Sequence, residues 1–211
     1  MSRIFLLSPA NCNGVRAGWI LGPKPRCELA RRLRCPEGAP LGEVFSFLSA
    51  LYFRGKLAYA RAFARPPQQN TGVLIITPSA GLLPDGTMVR LPKVRGFSRV
   101  PITVKNRRYC ASLRSSARRL GLTLGADCEV VLLGSIASGK YLEILGQELG
   151  GRLRVPLEFV GLGDMSRGAL LLRCVREQRE LNYVPVAAVS ERCRRLQAPP
   201  ETAQPFDGSL L

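Results

Sequence analysis

The sequence predicts an α/β chain, a three-layer sandwich whose mostly parallel sheet of four or five strands is covered by helices on both faces. Three observations predict it. Short continuous apolar runs bounded by turn residues recur along the chain, as in strands buried on both faces. Between them lie segments with apolar residues at helical spacing. Each apolar run then opens into a loop of glycine, proline and small polar residues.

Arg3 to Ser8 (RIFLLS) is the first such strand, and Pro9 to Gly14 (PANCNG) is its loop. Residues 19–42 hold several prolines and glycines and a basic stretch, Cys27 to Arg34, of one or two helical turns. From Glu43 to Ala64 the period is helical: Val44, Leu48, Leu51, Ala58 and Ala62 share a face, with Phe45, Tyr52, Tyr59 and Phe63 along one edge. Aromatic edges of this kind can stack bases, but their commoner use is packing on a sheet.

Pro66-Pro67 ends that helix, Gly72 to Thr77 (GVLIIT) is the second strand, and Pro78 to Gly86 is its loop. Asn106 to Leu120 reads as a helix with Tyr109, Leu113, Ala117 and Leu120 inward, which gathers Arg107, Arg114 and Arg118 on the opposite face. Such a face is usually solvated, but phosphate contact is an equal expectation here. Glu129 to Leu133 is the third strand, leading through GSIASGKY (134–141) into a helix to about Leu149. Leu157 to Val160 is a fourth, leading through Gly161 to Ser166 into a helix ending near Leu181. One domain is expected over residues 1–196, with a loose tail over 197–211.

No apolar run approaches the roughly 18 residues of a membrane helix, and Ile4 to Leu7 is too short for the core of a signal peptide, so a cytoplasmic protein without a membrane partner is expected. The seven cysteines form no C-x-x-C pair and the chain has no histidine. That excludes a Cys/His zinc site and a Ser-His-Asp triad, and leaves reduced, structural thiols. No metal and no cofactor are expected.

Charge is the strongest signal in the composition. The chain has 31 basic and 15 acidic residues, a net +16, and its five lysines leave most of that to arginine. A balance this basic favours a polyanionic partner, through counterion release at phosphates and a general attractive field.

In a parallel sheet, ligands bind beyond the carboxyl ends of the strands. Ser8 to Arg16, Thr77 to Asp85, Gly134 to Tyr141 and Gly161 to Arg167 should therefore meet. GSIASGKY and GDMSRG each open a helix, where unpaired N–H groups accept an anion, and Lys140 and Arg167 add full charges. The spacing Gly134, four residues, Gly139, Lys140 is that of a triphosphate-binding loop, but Tyr141 stands where the motif uses Ser or Thr to hold magnesium. Only about 70 residues follow, too few for that fold, and Asp164 is a poor metal-binding aspartate. Asn11, Asn13, Arg16, Thr77, Ser79, Ser135, Lys140, Tyr141, Ser166 and Arg167 are the expected polar contacts, extended by Arg107, Arg114 and Arg118. Asp85 and Asp164 are the candidate acids or bases, and Cys12 is a candidate nucleophile.

Three segments carry a resemblance: Leu51 to Ala60 (LYFRGKLAYA), Ile75 to Asp85 (IITPSAGLLPD) and Phe159 to Gly168 (FVGLGDMSRG) with the apolar helix after it. Together they look like a family of small bacterial and phage α/β proteins likened in fold to uracil-DNA glycosylases and to domains of deazaguanine-modifying enzymes. The resemblance implies a nucleic-acid or nucleobase context with the strand-end loops as the site. The glycosylases' His-Pro-Ser segment is absent, and Thr77-Pro78-Ser79 is a partial echo of it. Two functions follow as expectations: binding of nucleic acid or a nucleotide-like phosphate, or an enzyme of N-glycosidase or transferase type acting on a nucleoside or phosphorylated small molecule.

Overall fold

In the computed structural model, which describes residues 1–68, 70–135 and 139–189, three of the four apolar runs become inner strands of a six-stranded sheet. β1 (Arg3–Leu7), β3 (Val73–Thr77), β6 (Glu129–Leu133) and β7 (Leu153–Pro156) are parallel, and β4 (Gly81–Pro84) and β8 (Tyr183–Pro185) close the edges antiparallel. The order is β4-β3-β1-β6-β7-β8, with Leu6 opposite Leu74 on one side and Leu132 on the other. A two-residue ladder of β2 (Ala39–Pro40) and β5 (Met88–Val89) lies apart.

The pleat sends alternate residues of β1 to different cores. Phe5 and Leu7 join the layer of α1 (Val15–Leu21), α2 (Glu28–Arg32), α3 (Leu41–Phe63), α4 (Leu91–Ser98) and α7 (Asp164–Arg176). Ile4 and Leu6 join the layer of α5 (Arg107–Thr123) and α6 (Leu142–Leu149). The expected three-layer architecture holds, with two more strands than the apolar runs alone indicate.

Several boundaries differ from expectation for physical reasons. The helix predicted from Glu43 is interrupted at Ala50, whose φ of 49° and ψ of −121° are not helical. Beyond that break the inward face rotates, so Tyr52, Phe53, Tyr59 and Phe63 are core while Ala62 is exposed. The aromatic edge is therefore packing surface, as its commoner use suggests. The fourth parallel strand is Leu153–Pro156, and Leu157–Phe159 is a 3-10 turn. Arg152 and Arg154 mask that strand in the sequence, and Arg154 takes its place against Glu129 at 3.7 Å. The loop after β3 folds back as β4, because Gly81 (φ 65°) turns the chain where a side chain would strike Ser116 of α5. α1 and α4 arise where no helix was expected, and α7 stops at Arg176, ahead of Gln178 at φ 50°. α5 starts where predicted: Asn106 caps it, accepting from the backbone N–H groups of Arg108 and Tyr109. The proposed tail over 197–211 lies outside the described residues.

The chain leaves β1 for β3 on one side and later returns to β6 on the other. The loops after β1 and β6 therefore part, which opens a crevice above the middle of the sheet.

Candidate functional site

That crevice holds a cavity of about 420 Å3. Ser8 to Asn13 line it from the end of β1, Pro78 from the end of β3, Ser135, Lys140 and Tyr141 from between β6 and α6, and Asp164 from the start of α7. α4 brings Phe97 into the wall, Val100 to Ile102 follow it there, and α3 adds Ser49, Tyr52 and Lys56. All four predicted strand-end segments reach it, although residues 136–138 of GSIASGKY lie outside the described residues.

Seven of the predicted residues line this cavity: Asn11, Cys12, Asn13, Ser135, Lys140, Tyr141 and Asp164. Asn11 Oδ1 accepts from Asn13 N–H at 2.9 Å, and Asn13 Nδ2 donates to the Ser98 carbonyl at 3.1 Å, so the loop after β1 is braced against the end of α4. Lys140 has no carboxylate partner among the described residues, and its amine lies 5.4 Å from the centre of the Tyr141 ring. The Lys140 carbonyl accepts from the Tyr109 hydroxyl at 3.0 Å, which ties the GSIASGKY turn to α5. Tyr141 is buried, and burial raises its phenol well above the ordinary value.

The other predicted residues are placed elsewhere. Asp85 sits at the β4 turn, 2.7 Å from Arg61, and its carbonyl accepts from Gly42 N–H, so it is a structural brace and not part of the cavity wall. Thr77 is wholly buried and closes its own turn, donating to the Gly81 carbonyl and accepting from Ala80 N–H. Ser79 and the exposed Ser166 stand outside the wall. Arg16 is exposed and donates to the Phe47 carbonyl at 3.3 Å. Arg167 is buried, and both its Nε and Nη2 donate to the Phe159 carbonyl, so its charge fastens α7 to the preceding turn. Arg114 and Arg118 both face Glu148, at 3.6 and 3.4 Å, while Arg107 and Arg114 border a separate groove between α5 and α6. Cys12 is buried in the wall, and loss of solvent pushes its thiol up to about 12, so it stays protonated and is no nucleophile at neutral pH.

Comparison with family models, with curated proteins and with solved structures finds no match. The resemblance drawn from residues 51–60, 75–85 and 159–168 therefore rests on those residues alone.

The most unusual group in the cavity is Lys56, which sequence reasoning passed over. It is 1% exposed, and its Nζ lies 2.6 Å from the Ser8 carbonyl oxygen and 2.7 Å from Ser8 Oγ. The faces of Tyr52 and Phe53 are 4.5 and 4.9 Å away. Burial is the main cause of its shift, lowering the amine to about 7; Arg167 adds to this and Asp164 opposes it. Two glycines bring the lysine to its place. A side chain at Gly55 would lie 2.7 Å from the Gly168 carbonyl, and one at Gly168 would lie 2.9 Å from Tyr52 Cα. α3 and α7 therefore touch backbone to backbone beside Tyr52 and Lys56. The sequence did carry a signal: Lys56 lies four residues after Tyr52 and three before Tyr59, on the aromatic edge that became core.

The Tyr52 hydroxyl is shut off from solvent and has no acceptor for its proton among the described residues. Burial raises it to about 12, against the lowering influence of Arg167, so it remains a donor at physiological pH. Among the described residues no cluster of Cys, Asp and Glu could hold a metal ion, and no helix is long and apolar enough to cross a membrane.

Proposed function

We propose that the chain binds a nucleotide-like phosphate, free or within a nucleic acid, in the strand-end cavity. The observation that carries this reading is the convergence of Asn11, Asn13, Ser135 and Lys140, which has no carboxylate partner among the described residues, on one polar cavity at the switch point of a parallel sheet. The cavity's size falls in the range of small-molecule sites, roughly 300–1,000 Å3. A net charge of +16 supplies an attractive field for a phosphate-bearing ligand.

Thermal unfolding with inorganic phosphate, nucleoside monophosphates and short single-stranded DNA or RNA tests the reading. A ligand at 100 times its Kd adds about 2.7 kcal/mol, or roughly 5–11 °C for a chain of this size. Lys140→Ala should abolish most of that gain. Nucleic-acid affinity should fall steeply between 50 and 200 mM salt. No shift with any of these ligands and no binding at low salt would overturn the reading.

A second reading, an enzyme acting on a nucleoside or phosphorylated small molecule, is favoured by Asp164, which lines the cavity where Asp85 does not. A carboxylate there suits an oxocarbenium-like transition state. Asp164→Asn should then cut turnover of a nucleoside substrate, while Asp85→Asn leaves it unchanged.

A further inference from the structure

We propose that Ser8 and Lys56 form a nucleophile and general-base pair that hydrolyses small carboxylic esters through an acyl-serine. This goes beyond anion binding and does not depend on it.

Ser8 directly follows β1, at the carboxyl end of the central strand, and both residues line the cavity. The amine donates one N–H to the Ser8 carbonyl at 2.6 Å, and a neutral amine held this way can turn its lone pair to the hydroxyl at 2.7 Å. A nucleophile within hydrogen-bond reach of a base that a third group orients is the arrangement covalent catalysis requires. Burial of the amine between Tyr52 and Phe53 keeps a useful fraction of it neutral near pH 7, where a lysine in water would be charged.

Two further features fit the pair. A side chain at Gly134 would lie 2.9 Å from Ser8 Cβ and 3.2 Å from Ser8 Oγ, so glycine leaves the approach to the hydroxyl open. The Tyr52 hydroxyl, a protonated donor with no acceptor among the described residues, is buried in the same wall and would have to turn into the cavity to reach a developing oxyanion.

The steps balance. Ser8 Oγ bonds to the ester carbonyl carbon as its proton passes to Lys56 Nζ. The carbon–oxygen bond to the alcohol then breaks, and the departing oxygen takes that proton from Nζ. Water next gives a proton to Nζ while its oxygen bonds to the acyl carbon. The bond to Oγ breaks, the proton returns to Oγ, and the carboxylic acid leaves. Nothing is oxidised or reduced. Phosphoryl transfer suits the pair less, because its transition state carries negative charge spread over three equatorial oxygens that several cations must offset. Among the described residues lining the cavity, Lys140 is the free one, since Lys56 must be neutral to act as base.

A fluorophosphonate, which captures activated serines, tests this with peptide mapping by mass spectrometry. Wild-type protein at pH 8 should be labelled at Ser8 and hydrolyse p-nitrophenyl acetate. Both rates should fall below an apparent pKa near 7, set by Lys56 among the groups that face it: Ser8, Tyr52, Asp164 and Arg167. Lys56→Met should lower labelling at least 100-fold and Tyr52→Phe by about 10- to 100-fold, each with an intact thermal transition. Folded wild-type protein left unlabelled at Ser8 at pH 9 overturns the proposal, as does labelling that a folded Lys56→Met variant leaves unchanged. Phosphate binding by Ser8→Ala separates this result from the anion reading, since that binding should persist if only the dyad is at stake.

Discussion

Replacing Lys56 by Met should stabilise the protein at neutral pH, by an amount that depends on pH in a calculable way. The amine falls from 10.5 in the unfolded chain to about 7 in the folded one. Between those values the unfolded state binds the proton and the folded state does not, so wild-type stability rises with pH across the window. It is greatest above 10.5, falls as pH drops from 10.5 towards 7, and changes little below that. Taken whole, the difference between 10.5 and about 7 corresponds to roughly 5 kcal/mol at low pH and about 4 kcal/mol at pH 7. The faces of Tyr52 and Phe53 favour the ammonium and return about 1 kcal/mol. Met fills the same volume without a charge, but leaves the Ser8 carbonyl short of a donor, a loss of about 1 kcal/mol. The net expectation is a gain of about 2 kcal/mol for Lys56→Met at pH 7, reversing to a small loss by pH 10.5. Urea unfolding of both proteins at half-unit steps from pH 6 to 10.5 measures it. Comparing the two proteins cancels the titration of the other lysines, tyrosines and cysteines. Stability curves that run parallel across this range would refute the reasoning, because they would mean the buried amine keeps its proton throughout.

Three other outcomes follow from the packing around the site. Ala50→Gly should raise Tm by about 2–4 °C, since relief of roughly 1–3 kcal/mol of strain at its positive φ exceeds glycine's backbone entropy of about 0.5–1 kcal/mol; a fall in Tm would count against strain there. Gly168→Ala should cost about 2–3 kcal/mol in urea unfolding, because its Cβ would meet Tyr52 Cα at 2.9 Å and neither backbone can yield cheaply. Iodoacetamide at pH 8 should alkylate the exposed Cys35 in folded protein and spare Cys12, whose buried thiol is pushed up to about 12; peptide mapping separates the two.

The inner strands were legible because burial on both faces leaves them no room for polar residues: RIFLL, VLIIT and EVVLL read as unbroken apolar runs. The edge strands β4 and β8 were not, since four and three residues among turn formers carry no period. β7 was displaced because Arg154, a residue of the strand itself, spends its charge on Glu129 inside the sheet. The same distinction runs through the site. Its location followed from topology, which brings strand-end loops together whatever their residues, and seven of the expected residues are in the wall. Arg167 and Asp85 misled because a charge in a loop reads as available, and only the fold shows it engaged with the Phe159 carbonyl or with Arg61. Lys56 was hidden by the break at Ala50, which no local signal marks and which rotates the second half of α3 so that the lysine turns inward.

That rotation bears on what the lysine is for. A buried amine that loses roughly 4 kcal/mol of stability at neutral pH, and gains back a hydrogen bond of about 1 kcal/mol, is a poor structural element, and methionine fills the same space at lower cost. Residues that lower stability in this way persist where activity needs them, and strained or desolvated groups gather at such places. Around Lys56 several deviations coincide: a left-handed alanine six residues upstream, two glycines that let helices touch, and a buried tyrosine hydroxyl with no acceptor among the described residues. Each is unfavourable alone. All of them border or support one wall of one cavity, at the point where the sheet's topology opens a crevice. Packing alone gives no reason for that coincidence, whereas a site built to hold a neutral amine against the Ser8 hydroxyl accounts for every member of it.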